Sequence, residues 1–125
     1  MKIADNADIV RLRGELVESL TDHLISCAIH SESGAGYTHA SIVRCSAIVD
    51  AFLAALDGDI PAGDQESILR AVKQTVTALN TLNNDADGGM IDLDQREQLC
   101  GIIHCGMHLC GMETDDDVTQ AWREW

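Results

Sequence analysis

The residues of this chain best suited to chemistry are its five cysteines and five histidines. Cys100, His104 and His108 stand at i, i+4 and i+8, and His23, Cys27 and His30 at i, i+4 and i+7. On helices, such spacings put side chains on one side. Two facing helices could then deliver thiolate and imidazole to one tetrahedral zinc ion. Against zinc, the chain has no CxxC pair to anchor a site. A cysteine in an apolar helix behaves as a small buried hydrophobe, and a histidine there is commonly a hydrogen-bonded packing residue. Cys105 and His108, at i and i+3, could meet as nucleophile and base, but nothing in the sequence supplies an oxyanion hole or a substrate loop. The expectation is an inert thiol, no metal, no cofactor and no catalytic set. A metal-binding bundle is the alternative.

A second candidate is the loop 83–94. Asn83, Asp85 and Asp87 fall at positions one, three and five of an EF-hand pattern, with Gly88 at six. Oxygen ligands so spaced can wrap a hard cation. The pattern then fails: Met90 and Ile91 are apolar, and Asp94 stands where a bidentate glutamate belongs. The plainer expectation is a turn rich in Asn, Asp and Gly that leads into a helix cap at Asp92. The loop Ser33-Gly34-Ala35-Gly36-Tyr37 is too short to cradle a phosphate, and no GxxxxGK[ST] motif occurs.

Charge gives the broadest hint. The 8 basic and 21 acidic residues leave −13 at neutral pH, a field that repels phosphate backbones and anionic lipid. With aromatics at only 3%, no stacking platform for single-stranded nucleic acid is expected. Carboxylates gather in three places: Asp57, Asp59, Asp64 and Glu66; Asp85, Asp87, Asp92 and Asp94; and Glu113, Asp115, Asp116 and Asp117. One-signed patches speed and orient encounters with basic partners. Acidity also serves solubility, and helix starts collect aspartate for their dipole.

The elements that must position these groups are helical throughout. Ile9, Leu12, Leu16, Leu20, Leu24 and Ala28 mark one face of a helix over 8–31, with Asp5 or Asp8 as cap and Gly34 and Gly36 as its stop. Thr38 caps a helix over 39–57, with Gly58 and Pro61 after its end. Asp64 caps a third over 65–82, striped by Ile68, Val72, Val76, Leu79 and Leu82. Asp92 and Gln95 form a capping box for a fourth over 93–112, apolar nearly all round and so expected at the centre. Gly101, Gly106 and Gly111 there imply close approach of a neighbouring backbone, inside the protomer or across a homodimer contact with Trp122 and Trp125 nearby. Thr114 is expected to cap a short last helix whose first turn holds Asp115, Asp116 and Asp117. No strand alternation and no fixed repeat occur.

The fold expected is all-α, a single-domain bundle over 1–125 of four longer helices plus a short C-terminal helix. A chain of 125 residues with 46% hydrophobic composition is large enough to fold without staples. The start Met1–Asp8 has no apolar stretch of the secretory kind, no apolar run reaches a bilayer span, and an odd number of cysteines suits reduced thiols. Cytoplasmic residence follows as an expectation. The function expected is non-enzymatic: a small acidic interaction protein that binds a macromolecule with a basic surface. It would act as an inhibitor or decoy covering a nucleic-acid-binding groove, in the manner of phage anti-defence proteins. It would bind neither nucleic acid nor membrane itself. The contact residues expected are Asp85, Asp87, Asp92, Asp94, Glu113, Asp115, Asp116 and Asp117.

Overall fold

The computed structural model describes residues 2–32 and 34–125. Those residues form four α-helices: α1 (Ala7–His30), α2 (His39–Asp57), α3 (Gln65–Asp85) and α4 (Leu93–Leu109). A 3-10 turn precedes them at Ile3–Asp5 and another follows at Val118–Ala121, and no strand occurs among the described residues.

The caps explain where the helices start. Thr38 and Ser41 form a reciprocal capping box on α2, and Asp92 and Gln95 another on α4. Asp64 caps α3 through Ser67. α1 departs from expectation: its cap is Asn6, whose side chain accepts from the Asp8 and Ile9 amides. Asp5 instead ends the first 3-10 turn. α1 stops at Ser31, whose backbone is extended, ahead of the left-handed Gly34 and Gly36.

Two helix ends share one stop. In α4, the Gly111 amide donates to His108 and the Met112 amide to Met107, with Gly111 at φ +95°. In α3, the Asp87 amide donates to Asn84 and the Gly88 amide to Asn83, with Asp87 at φ +54°. Both are Schellman stops, in which a left-handed residue turns the next amides back onto orphan carbonyls. α3 therefore runs three residues past Leu82, because Asn83 is buried and still helical. α4 ends three residues short of Met112. The expected cap at Thr114 is also corrected. Thr114 accepts only from the Asp116 amide, and Asp117 caps the last turn through the Thr119 amide. Asp115 and Asp116 thus precede that turn.

Successive helices run antiparallel. Arg13 on α1 pairs with Asp50 on α2. Arg44 on α2 reaches Asp85 on α3 at 3.3 Å. Ser19 on α1 meets Gln95 and Gln98 on α4, while Leu12 lies under Gly101. One continuous cluster from all four helices makes the core, and Val118, Trp122 and Trp125 pack on its edge. α3 supplies the largest buried set, nine residues against six from α4, so the centre belongs to α3 as much as to α4. α2 is long and apolar enough to cross a membrane, with a mean hydropathy of 1.5 over 18 residues. Here its Ile42, Cys45, Val49, Phe52, Leu53 and Leu56 lie in the core.

The three glycines of the α4 region are used inside the protomer. A Cβ on Gly106 would sit 2.9 Å from Leu56 Cδ1 and 3.1 Å from Phe52 Cε2. One on Gly111 would sit 3.0 Å from the Gly63 nitrogen, and one on Gly101 would touch Leu12 at 3.5 Å. Gly106 and Gly111 let the end of α4 approach α2 and the 58–64 turn, whereas at Gly101 a methyl group would make only ordinary contact with α1.

Candidate functional site

The antiparallel packing of α1 on α4 decides the fate of the zinc set. Leu12 opposes Gly101 and Ser19 opposes Gln95. His23, Cys27 and His30 therefore lie beyond the start of α4, while His104 and His108 lie near its end. At 1.5 Å per residue the two halves stand about 20 Å apart. Within each half the contacts are pairs. Cys27 Sγ lies 3.4 Å from His23 Nε2, and the His23 ring stacks on Tyr37 with centroids 6.1 Å apart. His104 Nε2 is 3.5 Å from Asp117 Oδ1, and His108 Nδ1 is 3.8 Å from Glu113 Oε1. Cys100 turns to Thr119 at 3.5 Å. Among the described residues no group of three or more His, Cys, Asp or Glu is arranged to hold a metal ion.

The thiols share one trend. Burial pushes Cys45 up to about 12 and raises Cys100, Cys105 and Cys110 above the ordinary thiol value. A thiol so raised is protonated at neutral pH and a poor nucleophile.

The EF-hand pattern is overturned by its first residue. Asn83 is buried, and its Oδ1 accepts from the Met90 amide at 3.1 Å and the Ile91 amide at 2.8 Å. That oxygen is committed to the loop's own backbone. Ala86, Met90 and Ile91 are buried around it, so the loop is an apolar plug with a helix stop. Asp87 holds the left-handed position where the pattern wanted a ligand.

The eight expected contact residues fall at opposite ends of α4. Asp85, Asp87, Asp92 and Asp94 sit where α3 ends and α4 begins. All four are exposed, but Asp85 pairs with Arg44 and Asp92 is a cap. Glu113, Asp115, Asp116 and Asp117 sit past the end of α4. Asp117 is structural there: it accepts from Thr119, and from Arg123 Nη2 at 2.9 Å. Burial works to raise its carboxyl, yet the Thr119 and Arg123 hydrogen bonds outweigh this and hold it below the usual value.

The last group gains neighbours that spacing in sequence conceals. The Gly63 amide donates to the Cys110 carbonyl at 2.7 Å. This bond pins the turn between α2 and α3 against the end of α4. It brings Asp59 and Glu66 to the same end of the bundle as Glu113, Asp115 and Asp116, all five exposed. Asp57 lies beside them and accepts from the Ile3 amide at 2.6 Å and the Ala4 amide at 3.2 Å, which brings exposed Asp5 to the same end. Asp64 is held below the usual carboxylate value by the Ser67 hydroxyl and amide. Arg70, one turn into α3, is paired to Glu66 at 3.3 Å. His104, His108, Met112, Glu113, Thr114 and Asp115 line a cleft of about 270 Å³ at this pole. Chemically the pole offers exposed carboxylates, of which Glu66 is offset by Arg70 and Glu113 lies beside His108, suited to receiving cations spaced along a partner.

No protein family matches the chain, and neither a curated protein nor a solved structure shows significant likeness to it.

Proposed function

We propose that this protein is a non-enzymatic binder of a basic macromolecular surface. Its principal contact is the acidic pole formed by Asp59, Glu66, Glu113, Asp115 and Asp116. The observation that supports the reading is the Gly63–Cys110 hydrogen bond, which holds the turn carrying Asp59 against the end of α4 that leads into Glu113, Asp115 and Asp116. A patch of one sign raises the encounter rate with cationic partners and orients them. A basic nucleic-acid-binding groove fits this chemistry, and the protein would act there as an inhibitor or decoy. The cluster Asp85, Asp87, Asp92 and Asp94 serves as a secondary contact with four carboxylates to the pole's five, Arg44 offsetting one of them as Arg70 offsets Glu66. Five free cysteines support residence in a reducing, cytoplasmic setting.

The test is binding to a lysine- and arginine-rich peptide at rising salt. Affinity should fall steeply with ionic strength. Reversing Glu113, Asp115 and Asp116 to lysine should remove most of it, and reversing Asp85, Asp87 and Asp94 should remove less. Salt-independent binding, or equal loss from both reversals, would sink the assignment of the pole.

A further inference from the structure

A different part of the molecule has no role in that reading: the thiol and imidazole near the end of α1. Cys27 and His23 stand one turn apart, a spacing that brings helix side chains together. Cys27 Sγ lies 3.4 Å from His23 Nε2, with the thiol partly covered and the imidazole exposed. The other thiols are placed differently. Cys100 turns to Thr119, Cys110 to the Leu56 carbonyl, and Cys45 is sealed in the core. Burial raises all three, and Cys105 with them. Among the described residues Cys27 is the one thiol with an imidazole within hydrogen-bond distance.

The base is itself held. The His23 ring stacks on Tyr37 with the two planes 16° apart. Tyr37 is buried, and its hydroxyl donates to the Leu20 carbonyl at 2.7 Å. A nucleophile beside a base that a third group orients is the arrangement that activates a thiol. Cys27 belongs to the last turn of α1, and the negative end of a helix disfavours an isolated anion but favours a cation. Passing the thiol proton to the imidazole makes both charges together, so the pair can react without a free thiolate forming first.

A cleft of about 490 Å³ opens at His23. Asp22, Asp92 and Asp94 line it beside the apolar Met90 and Leu93, and no lysine or arginine does so among the described residues. Neither Asp22 nor Asp94 is in an ion pair there, and Asp92 caps α4. We propose that Cys27 and His23 form a thiol–disulfide exchange site that takes small disulfides carrying positively charged amino groups, the class of cystamine. Cys27 Sγ attacks one sulfur of the disulfide while its proton passes to His23 Nε2. The new S–S bond forms as the old one breaks, the electron pair leaves with the departing sulfur, and His23 returns the proton to that thiolate. The products are a mixed disulfide on Cys27 and one aminothiol. The disulfide is the oxidant, and excess thiol reverses the step. The cleft carboxylates receive the ammonium group.

The test mixes the full chain at neutral pH with cystamine or with the anionic glutathione disulfide. Adducts are followed by intact mass and peptide mapping, and each rate is divided by that of the same reagent with N-acetylcysteine. Cystamine should place its first adduct on Cys27, at a normalised rate about tenfold or more above that of glutathione disulfide, and salt should narrow the gap. His23→Ala should slow the exchange about tenfold or more with circular dichroism unchanged. Added imidazole should restore part of that rate, which it would not do for a merely structural histidine. Asp22→Asn with Asp94→Asn should remove the preference for cystamine and leave the His23 effect intact. A first adduct on another cysteine would overturn the proposal. So would exchange at Cys27 indifferent to His23→Ala, or equal normalised rates for the two disulfides. The principal acidic pole lies at the other end of α4, and none of these outcomes bears on it.

Discussion

Asn83 shows how one side chain can be taken for a ligand and turn out to be scaffolding. Its oxygen accepts from two buried amides, Met90 and Ile91, that have no other hydrogen-bond acceptor within the 86–91 turn. Leaving a buried N–H unsatisfied costs about 1–3 kcal/mol. Asn83→Ala should therefore lower stability by about 2 kcal/mol or more in urea unfolding, and Asn83→Asp, which keeps an acceptor, should lose less. Gly106 is as demanding for the opposite reason. A methyl group there collides with Leu56 and Phe52, so Gly106→Ala should destabilise by about 1–3 kcal/mol, by the same measurement. Among the thiols, Cys45, Cys100, Cys105 and Cys110 are all held up by burial. Cys27 is only partly covered and touches His23. Alkylation at neutral pH, read by peptide mass mapping, should label Cys27 first. Rapid labelling of Cys45 would contradict the packing described here.

At the scale of elements, the stop of α3 carries a small strain that glycine would relieve. Asp87 sits at φ +54°, a region costly for residues with a Cβ although Asp tolerates it better than most. Asp87→Gly should raise stability by up to about 1 kcal/mol, measured as a higher urea midpoint. All four helices were legible from apolar periodicity, and α2, α3 and α4 begin at the caps Thr38, Asp64 and Asp92 that their sequences announce. The ends were less legible, because tertiary contacts decide them. α3 outruns its apolar stripe since Asn83 is needed at the loop. The α1 cap falls to Asn6 because Asp57 holds the preceding turn by its amides. Asn80 and Asn83 extend the stripe of Val72, Val76 and Leu79 with polar residues. That interruption of an apolar face was the available signal that both were buried partners. The two halves of the supposed zinc set could not be separated without knowing that α1 and α4 are antiparallel. The acidic pole depends on a single backbone hydrogen bond between residues 47 positions apart, which no spacing rule reveals.

For the whole molecule, pH acts through groups whose proton affinity the fold has changed. Tyr37 and Cys45 are each pushed up to about 12, chiefly by burial, and Tyr37 donates its hydroxyl proton to the Leu20 carbonyl. Both must stay protonated in the fold. Their contribution is complete below the unfolded values of about 8.5 for a thiol and 10 for a phenol, and is lost as pH rises towards 12. The thermal midpoint should therefore drop through that alkaline window, and Tyr37→Phe should flatten the drop while losing the Leu20 bond. Asp117 works the other way. Its lowered value stabilises the fold above the ordinary aspartate range and fades as pH falls below it.

The tail is laced to the middle of α3. Asn80 Nδ2 donates to the Trp122 carbonyl at 2.8 Å and to Glu124 Oε2 at 3.1 Å, and the Glu124 amide donates back to Asn80 Oδ1. An exopeptidase nibbling from Trp125 would therefore meet a bolt and not a loose thread. Removing Glu124 leaves Asn80 Oδ1 without its donor while Nδ2 still holds the Trp122 carbonyl, so digestion should pause at one discrete product before the rest of the strap gives way.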